Sequence, residues 1–247
     1  NLTGRIRPRP IDSVILEGDT AHTVLSDVRR FQRSADWYTK LGVPYRRGYL
    51  FYGPPGNGKS SFVLSIASEL GMNVNVLSLS TPGMNDGKIV DLLGSVDTNT
   101  AVLIEDIDCA FVKRSAGADR KKGLDSGLTF SGVLNALDGV LAMDGRIVFM
   151  TTNHPEKLDP ALTRPGRADV KVYIGNATYD QAGRLFRRFH PDAPTGVVEK
   201  FAASLPKDTS MAKLQHHLML YRDDPKLAVD KAHTLAEVES YELKAAA

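Results

Sequence analysis

Gly53-Pro54-Pro55-Gly56-Asn57-Gly58-Lys59-Ser60-Ser61 is the stretch on which the reading of this chain turns. Its first eight residues fit the phosphate-binding pattern G-x-x-x-x-G-K-[ST], and its flanks supply the context that the pattern needs. Upstream, Gly48-Tyr-Leu-Phe-Tyr52 is a short apolar run of the kind that forms a buried strand. Downstream, Phe62, Val63, Ile66, Ala67 and Leu70 fall on one face of a helix predicted over Ser61–Leu70. In such a strand–loop–helix unit, glycines without side chains at 56 and 58 let backbone N–H groups wrap phosphates. The helix N-terminus adds its partial positive charge. Lys59 is then expected to reach the β- and γ-phosphates, and the Ser60 hydroxyl to ligate Mg²⁺.

Outward from the loop, four further stretches read as strands: Asn73–Leu79, Ala101–Ile104, Arg146–Met150 and Val170–Ile174. Helical stretches separate them, the alternation that predicts an α/β fold built on a parallel sheet with helices on both faces. Before the sheet, Val24, Leu25, Val28, Phe31, Trp37 and Tyr38 recur at helical spacing over residues 20–41, closed by Gly42 and Pro44. The pattern changes after Gly175. Gln181–His190, Val197–Leu205, Ser210–Tyr221 and much of Pro225–Lys244 read as helices, which predicts a small all-helical lid. The expected organisation is a linker over 1–19, the α/β nucleotide-binding domain over 20–175 and the lid over 176–247.

The chain has 247 residues, of which 42% are apolar and 24% charged, ordinary values for a globular protein. Its 31 Lys and Arg nearly balance 29 Asp and Glu, leaving a formal charge of +2. That balance disfavours nucleic acid or membrane binding through bulk electrostatics. Cys109, the single cysteine, is expected as a small buried apolar side chain and excludes an intramolecular disulfide. Asn1 is not a start residue, and Arg5-Ile-Arg-Pro-Arg-Pro10 reads as a linker, so the chain is expected to be a piece of a longer protein. Membrane association through residues upstream stays open.

Val102-Leu-Ile-Glu105-Asp106-Ile-Asp108 is an apolar strand that delivers carboxylates. Beside a phosphate loop, one acid organises Mg²⁺ and another polarises the attacking water. Asn153 follows the strand that ends in Thr151-Thr152. A strand C-terminus in a parallel sheet lines the ligand crevice, so its amide is placed to hold the lytic water; Asn153-His154-Pro155 is equally good turn chemistry.

Leu158-Asp-Pro-Ala-Leu-Thr-Arg164-Pro-Gly-Arg167-Ala-Asp169 closely resembles the second region of homology of AAA ATPases. With the loop, the acids and Asn153, it identifies a P-loop NTPase of the AAA+ class. Nearly the whole chain is similar to the mitochondrial AAA chaperones that translocate the Rieske iron–sulfur protein. Val43-Pro-Tyr-Arg-Arg-Gly-Tyr-Leu-Phe-Tyr-Gly-Pro-Pro-Gly56, Leu128-Thr-Phe-Ser-Gly-Val-Leu-Asn-Ala-Leu-Asp-Gly139 and Arg146-Ile-Val-Phe-Met-Thr-Thr-Asn153 carry that likeness. The resemblance implies ATP and Mg²⁺ as ligands, a homo-oligomeric ring of six or seven subunits, a protein cargo and a mitochondrial inner-membrane setting. A bacterial or viral chain with the same core would instead be cytoplasmic. It also implies Arg164 and Arg167 as fingers that reach the neighbouring subunit's γ-phosphate. A planar, permanently charged guanidinium suits that task, and such a finger is worth about 10³–10⁵ in rate. Two surface arginines flanking a Pro-Gly turn are the plainer alternative.

Two departures from the general AAA pattern matter. The acidic strand ends Glu105-Asp106, where most AAA proteins have Asp-Glu; by position Glu105 is the metal-side acid and Asp106 the base, with role exchange open. The loop Ser80-Thr-Pro-Gly-Met-Asn-Asp-Gly87 lacks the aromatic residue with which threading unfoldases grip polypeptide. Cargo handling by ring opening and closing is therefore expected. Lys113–Gly123 is a basic, glycine-bearing loop that either faces an acidic cargo or nucleic acid or is simply solvated. The histidines have no metal-ligand spacing: His216 and His217 point apart, and His22, His154, His190 and His233 are expected at the surface or at caps. The competing function is an AAA+ ATPase linked to nucleic acid or defence.

Overall fold

The computed structural model describes residues 9–97, 100–111 and 127–236. They form two compact units. One comprises residues 9–14, 19–53 and 59–174; the other comprises residues 15–18, 54–58 and the segment from Gly175 onward. The basic loop Lys113–Gly123 lies outside the described residues.

In the first unit five strands form a wholly parallel sheet in the order β2-β3-β4-β1-β5. They are β1 (Arg46–Tyr52), β2 (Asn73–Ser78), β3 (Thr100–Glu105), β4 (Arg146–Thr152) and β5 (Val170–Tyr173). Every apolar run expected as a strand is one. β4 is buried at all seven positions, as a central strand covered on two faces must be. The strand period of two divides the side chains between faces. Leu50, Val102, Ile104, Val148 and Met150 pack with Ile89 and Leu93 of α4 (Asp86–Gly94) and Val133, Leu137 and Val140 of α5 (Phe130–Leu141). On the other face Tyr49, Phe51 and Phe149 stack, and Phe51 meets Phe62 of α3 (Lys59–Glu69) edge-on at 5.3 Å.

The helical stretch predicted over 20–41 is two helices, α1 (Thr20–Gln32) and α2 (Ala35–Leu41), and Gly42 closes the second at φ 64°. α1 is tied to β1 by Asp27, whose carboxylate accepts from Tyr49 Oη at 2.8 Å and from Arg47 Nη2 at 2.9 Å. The segment expected as a linker is packed: Ile11 and Val14 are buried, and the Arg9 N–H donates to Ser68 Oγ at 3.0 Å.

The second unit is helical: α6 (Tyr179–Phe189), α7 (Thr195–Ala203), α8 (Met211–Leu220) and α9 (Pro225–Asp230), then a 3₁₀ turn over Ala232–Ala236. A reciprocal capping box between Thr178 and Gln181 starts α6. Phe186, Phe201, Leu214, Leu218 and Ala228 form the core. Ile15 also packs there, and its carbonyl accepts from Gln181 Nε2 at 3.0 Å. One expectation is corrected: Cys109 is exposed, since it follows the last buried position of the acidic segment. His190, expected at the surface or at a cap, is the C-cap residue of α6, buried with its ring tilted 4.7 Å from that of Phe186. His216 and His217 do point apart, and His217 is the buried one. Among the described residues no helix is long and apolar enough to cross a membrane.

Burial of Asp27 opposes its charge, but hydrogen bonds from Tyr49, Arg30 and Arg47 outweigh it and hold the carboxyl below its ordinary value. A depressed folded-state pKa contributes stability above the unfolded-state value, and that stability is lost as pH falls through the folded one. Asp27→Asn is expected to cost about 1–3 kcal/mol at neutral pH, with the deficit shrinking through the carboxylate range. Urea midpoints at a series of pH values read both effects.

Candidate functional site

Register brings the strand ends together. Tyr52 pairs with Thr152, Ile104 with Met150, and Ser78 with Glu105, so β1, β3 and β4 finish at one end of the sheet. In a parallel sheet this is where a ligand crevice forms. Gly53 follows β1, Glu105 closes β3 with Asp106 next, and Asn153 follows β4. Gly53 turns at φ 135°, and a Cβ there would sit 2.3 Å from the Ile174 carbonyl oxygen, so only glycine lets the loop leave the strand.

Lys59 opens α3 with its side chain turned back, Nζ donating to the Gly53 carbonyl at 2.7 Å. The residue is only 7% exposed. Burial pushes the ammonium below the ordinary lysine value, and Asp106 and Asp108 oppose that shift. Asp106 moves the other way: burial raises it, and the negative charges of Asp108 and Glu105 raise it further. Asp106 also holds φ 48°, a left-handed backbone that is costly for a residue with a Cβ. Its N–H donates to Thr151 Oγ1 at 3.2 Å, and its Oδ1 accepts from Asn153 Nδ2 at 3.2 Å. The acid and the amide predicted from sequence are thus joined directly. Ser60 and Ser61 lie half-buried in the first turn of α3, and Glu105 half-buried at the end of β3.

Asp108 was not singled out by sequence reasoning. It is 6% exposed and accepts from Thr152 Oγ1 at 2.6 Å, while that hydroxyl accepts from the His154 N–H at 2.9 Å. The signal lay in the same acidic run, where a third acid reads as part of a solvated turn.

The two arginines differ. Arg164 is exposed; its carbonyl accepts from the Arg167 N–H at 3.2 Å, but its side chain makes no hydrogen bond or ion pair with the described residues. Arg167, expected as a second finger, is spent within its own chain. Its Nε and Nη2 grip Asp138 of α5 at 2.8 and 2.7 Å, and Nη1 donates to the Ala161 carbonyl at 2.8 Å. Hydrogen bonding to Asp138 holds Arg167 above its ordinary value and Asp138 below its own. The same segment is pinned to β1. Gly48 N–H donates to Asp169 Oδ2 and Asp169 N–H to the Gly48 carbonyl, both at 2.9 Å. A Cβ on Gly48 would lie 1.6 Å from the Arg167 carbonyl oxygen, so a glycine is needed for that close approach.

The turn Pro54–Gly58 belongs to the helical unit. Gly56 and Gly58 hold φ 78° and 89°, the left-handed geometry expected of a phosphate-wrapping loop. Among the described residues no three His, Cys, Asp or Glu side chains make a metal cage. The donors near the loop are separate hard oxygens, the Ser60 hydroxyl and the Glu105 carboxylate. That set fits Mg²⁺, which takes one or two protein oxygens and completes its shell with phosphates and water.

Residues 49–176 match the model described as "ATPase family associated with various cellular activities (AAA)". This chain belongs to the AAA ATPase family. Residues 179–234 of this AAA domain match the "Mitochondrial chaperone BCS1-like, ATPase lid domain". The chain is 47% identical over 229 residues to a Schizosaccharomyces pombe protein named "Probable mitochondrial chaperone bcs1", covering 93% of this chain and 51% of that one. It is 45% and 44% identical over 235 residues to proteins of Bos taurus and Homo sapiens named "Mitochondrial chaperone BCS1", covering 93% of this chain and 56% of each. The chain spans about half the length of the curated relatives it matches.

Thr152→Val leaves the Asp108 carboxylate buried without its donor and is expected to cost this AAA domain about 1–3 kcal/mol. Thr152→Ser, which keeps the hydroxyl, should melt close to the parent. Equal melting temperatures for the Val and Ser variants would contradict the pairing.

Proposed function

We propose that this AAA domain hydrolyses ATP with Mg²⁺ in a homo-oligomeric ring, and that the cycle moves a protein cargo at a membrane. The observation that carries the reading is the Asn153–Asp106 contact, a carboxylate aimed by an amide and kept basic beside the loop lysine.

The residues divide the work as follows. Backbone N–H groups from Gly53 to Ser61 bind the phosphates, and Lys59 leaves the Gly53 carbonyl to meet the β- and γ-oxygens. Asp106 takes the proton of the attacking water, with Asn153 orienting both. Glu105 and the Ser60 hydroxyl hold Mg²⁺, which when bound neutralises developing phosphate charge. Thr152, through Asp108, keeps negative potential near Lys59 and Asp106. Arg164 is the finger offered to a neighbouring subunit, because its guanidinium is uncommitted. Arg167 contributes by fixing the turn from which Arg164 projects.

A chaperone role is supported by the mitochondrial chaperone names of the relatives and by the BCS1-like lid. The loop after β2 supports a mechanism other than threading through a tight pore. It has no aromatic residue, and its one large apolar side chain, Met84, is 2% exposed and packs into the core with Leu79. Ser80, Thr81, Pro82 and Gly83 present nothing that grips an extended polypeptide.

Asp106→Asn is expected to bind ATP and to lose at least about 10²-fold in turnover, the contribution of a positioned base. Normal turnover by that variant would place the base elsewhere. Because Asp106 titrates above the ordinary carboxylate value, the acid limb of kcat should fall at correspondingly higher pH. Asp108→Asn, by removing one of the raising charges, should move that limb downward. Finally, Arg164→Ala and Lys59→Ala subunits, each inactive alone, should regain partial turnover when mixed, since half of the hybrid junctions pair an intact loop with an intact finger. A monomer that hydrolyses ATP at full rate would overturn the shared site.

A further inference from the structure

Asn57 stands at one of the loop positions whose side chain the phosphate-binding pattern does not use. The pattern accepts any residue at this position. Here it is a buried polar side chain, 2% exposed, and each end of its amide is occupied. Oδ1 accepts from the Met211 N–H at 2.9 Å. Nδ2 donates to Asn176 Oδ1 at 2.8 Å and to the Pro54 carbonyl at 3.3 Å. Two backbone partners, one donor and one acceptor, fix which end of the amide is which. Next to it, the Ala212 N–H donates to the Gly56 carbonyl at 2.9 Å.

The first two N–H groups of α8 are therefore both satisfied by the phosphate-loop turn. Such groups have no intrahelical acceptor and need an outside partner when buried. α8 then carries Leu214, His217 and Leu218 into the core of the helical unit. The Asn176 amide is held in turn by Asp208 Oδ1 at 3.4 Å, and the Ala177 N–H bonds the Thr209 carbonyl at 2.9 Å. The turn 54–58, the start of the lid and the start of α8 make one hydrogen-bonded cluster with Asn57 at its centre.

We propose that Asn57 is a positioning residue that makes the lid respond to what the phosphate loop holds. The proposal rests on the reading of the loop as an ATP site. A change in the turn when its N–H groups take phosphates passes to α8 through the Asn57 amide and the Gly56 carbonyl, because both bond consecutive residues of that helix. A serine or threonine at 57 has a shorter side chain with a single donor proton and cannot span Met211 and Asn176 together. An aspartate lacks the donor. The amide is the side chain of this length that supplies donor and acceptor at once.

The test is hydrogen exchange of the α8 first turn in the full chain carrying Asp106→Asn, with and without ATP, alongside an equilibrium binding measurement on the same samples. ATP is expected to slow exchange at Met211–Leu214 by about tenfold, the effect of roughly one net hydrogen bond. Adding Asn57→Ala should abolish that slowing at ATP concentrations where binding is saturated. Asn176→Asp, which keeps an acceptor for Nδ2, should preserve it. Asn176→Ala, which leaves the loop sequence intact, should weaken it and serves where Asn57→Ala does not fold. Full ATP-dependent slowing in both alanine variants would overturn the coupling while leaving the ATP site standing. No ATP binding by the protein with Asn57 intact would remove the ATP site, and the coupling with it.

Discussion

Lys59 is a buried cation beside one short segment that carries three acids, and the site depends on that imbalance. Glu105, Asp106 and Asp108 follow one another at the end of β3, and Lys59 supplies the opposing charge. With more negative than positive charge, the cheapest adjustment is for one carboxyl to hold its proton more tightly. Asp106 does so, because it is half-buried and has an acid on each side. A carboxyl raised in this way is a better proton acceptor than a solvated aspartate once it is ionised. The same excess of negative charge gives a divalent cation a reason to bind without a protein cage. The left-handed backbone at Asp106 keeps this acid off the line of its neighbours, at the cost of local strain, and the Thr151 hydroxyl and Asn153 amide hold it there.

The region with the two arginines solves a different problem, holding one cation out and the other in. Asp138 binds Arg167 through two parallel N–H bonds, the geometry in which guanidinium and carboxylate match best. Gly48 lets the Arg167 carbonyl approach β1, and Asp169 accepts from the Gly48 and Gly166 N–H groups. This turn segment therefore rests on the strand that leads into the phosphate loop. Arg164, three residues before Arg167 and outside this set of bonds, is left exposed. One arginine is bound within its own chain, and the side chain of the other is left exposed.

Much of this was legible in sequence because it is local. The five strands are apolar runs, the loop is a spaced pattern, and the acids and Asn153 sit at strand ends where a parallel sheet places ligand-facing groups. What escaped was non-local. Arg167 and Asp138 are 29 residues apart, and Asn57 and Met211 are 154 apart. Neither spacing has a period that marks it. Arg146 was legible as the start of β4 but not as a buried side chain. Its Nη1 and Nη2 donate to the carbonyls of Val96, Asp97 and Thr100, while Nε is buried without a partner among the described residues, an arrangement that no composition rule anticipates. The segment before Thr20 read as a linker because its proline and arginine content resembles one. Ile11, Val14, Ile15 and Leu16 are nonetheless buried, since four apolar residues suffice to hold a short segment down.

The boundary between the two family models falls between residues 176 and 179; the compact units divide close to it, between residues 174 and 175, and also at two earlier places. Residues 15–18 and 54–58 belong with the helices that follow Gly175, although both lie in the earlier part of the chain. Buried backbone groups require partners, and this requirement decides the division. The carbonyls of Ile15 and Leu16 take donors from Gln181 and Arg184, and the turn at Gly56 and Asn57 takes the leading N–H groups of α8. The phosphate loop is thus one continuous stretch whose ends, Gly53 and Lys59, are fixed in the sheet unit, while its middle is hydrogen-bonded within the lid unit. A ligand that binds the middle of such a loop cannot alter the geometry there without loading the α8 bonds.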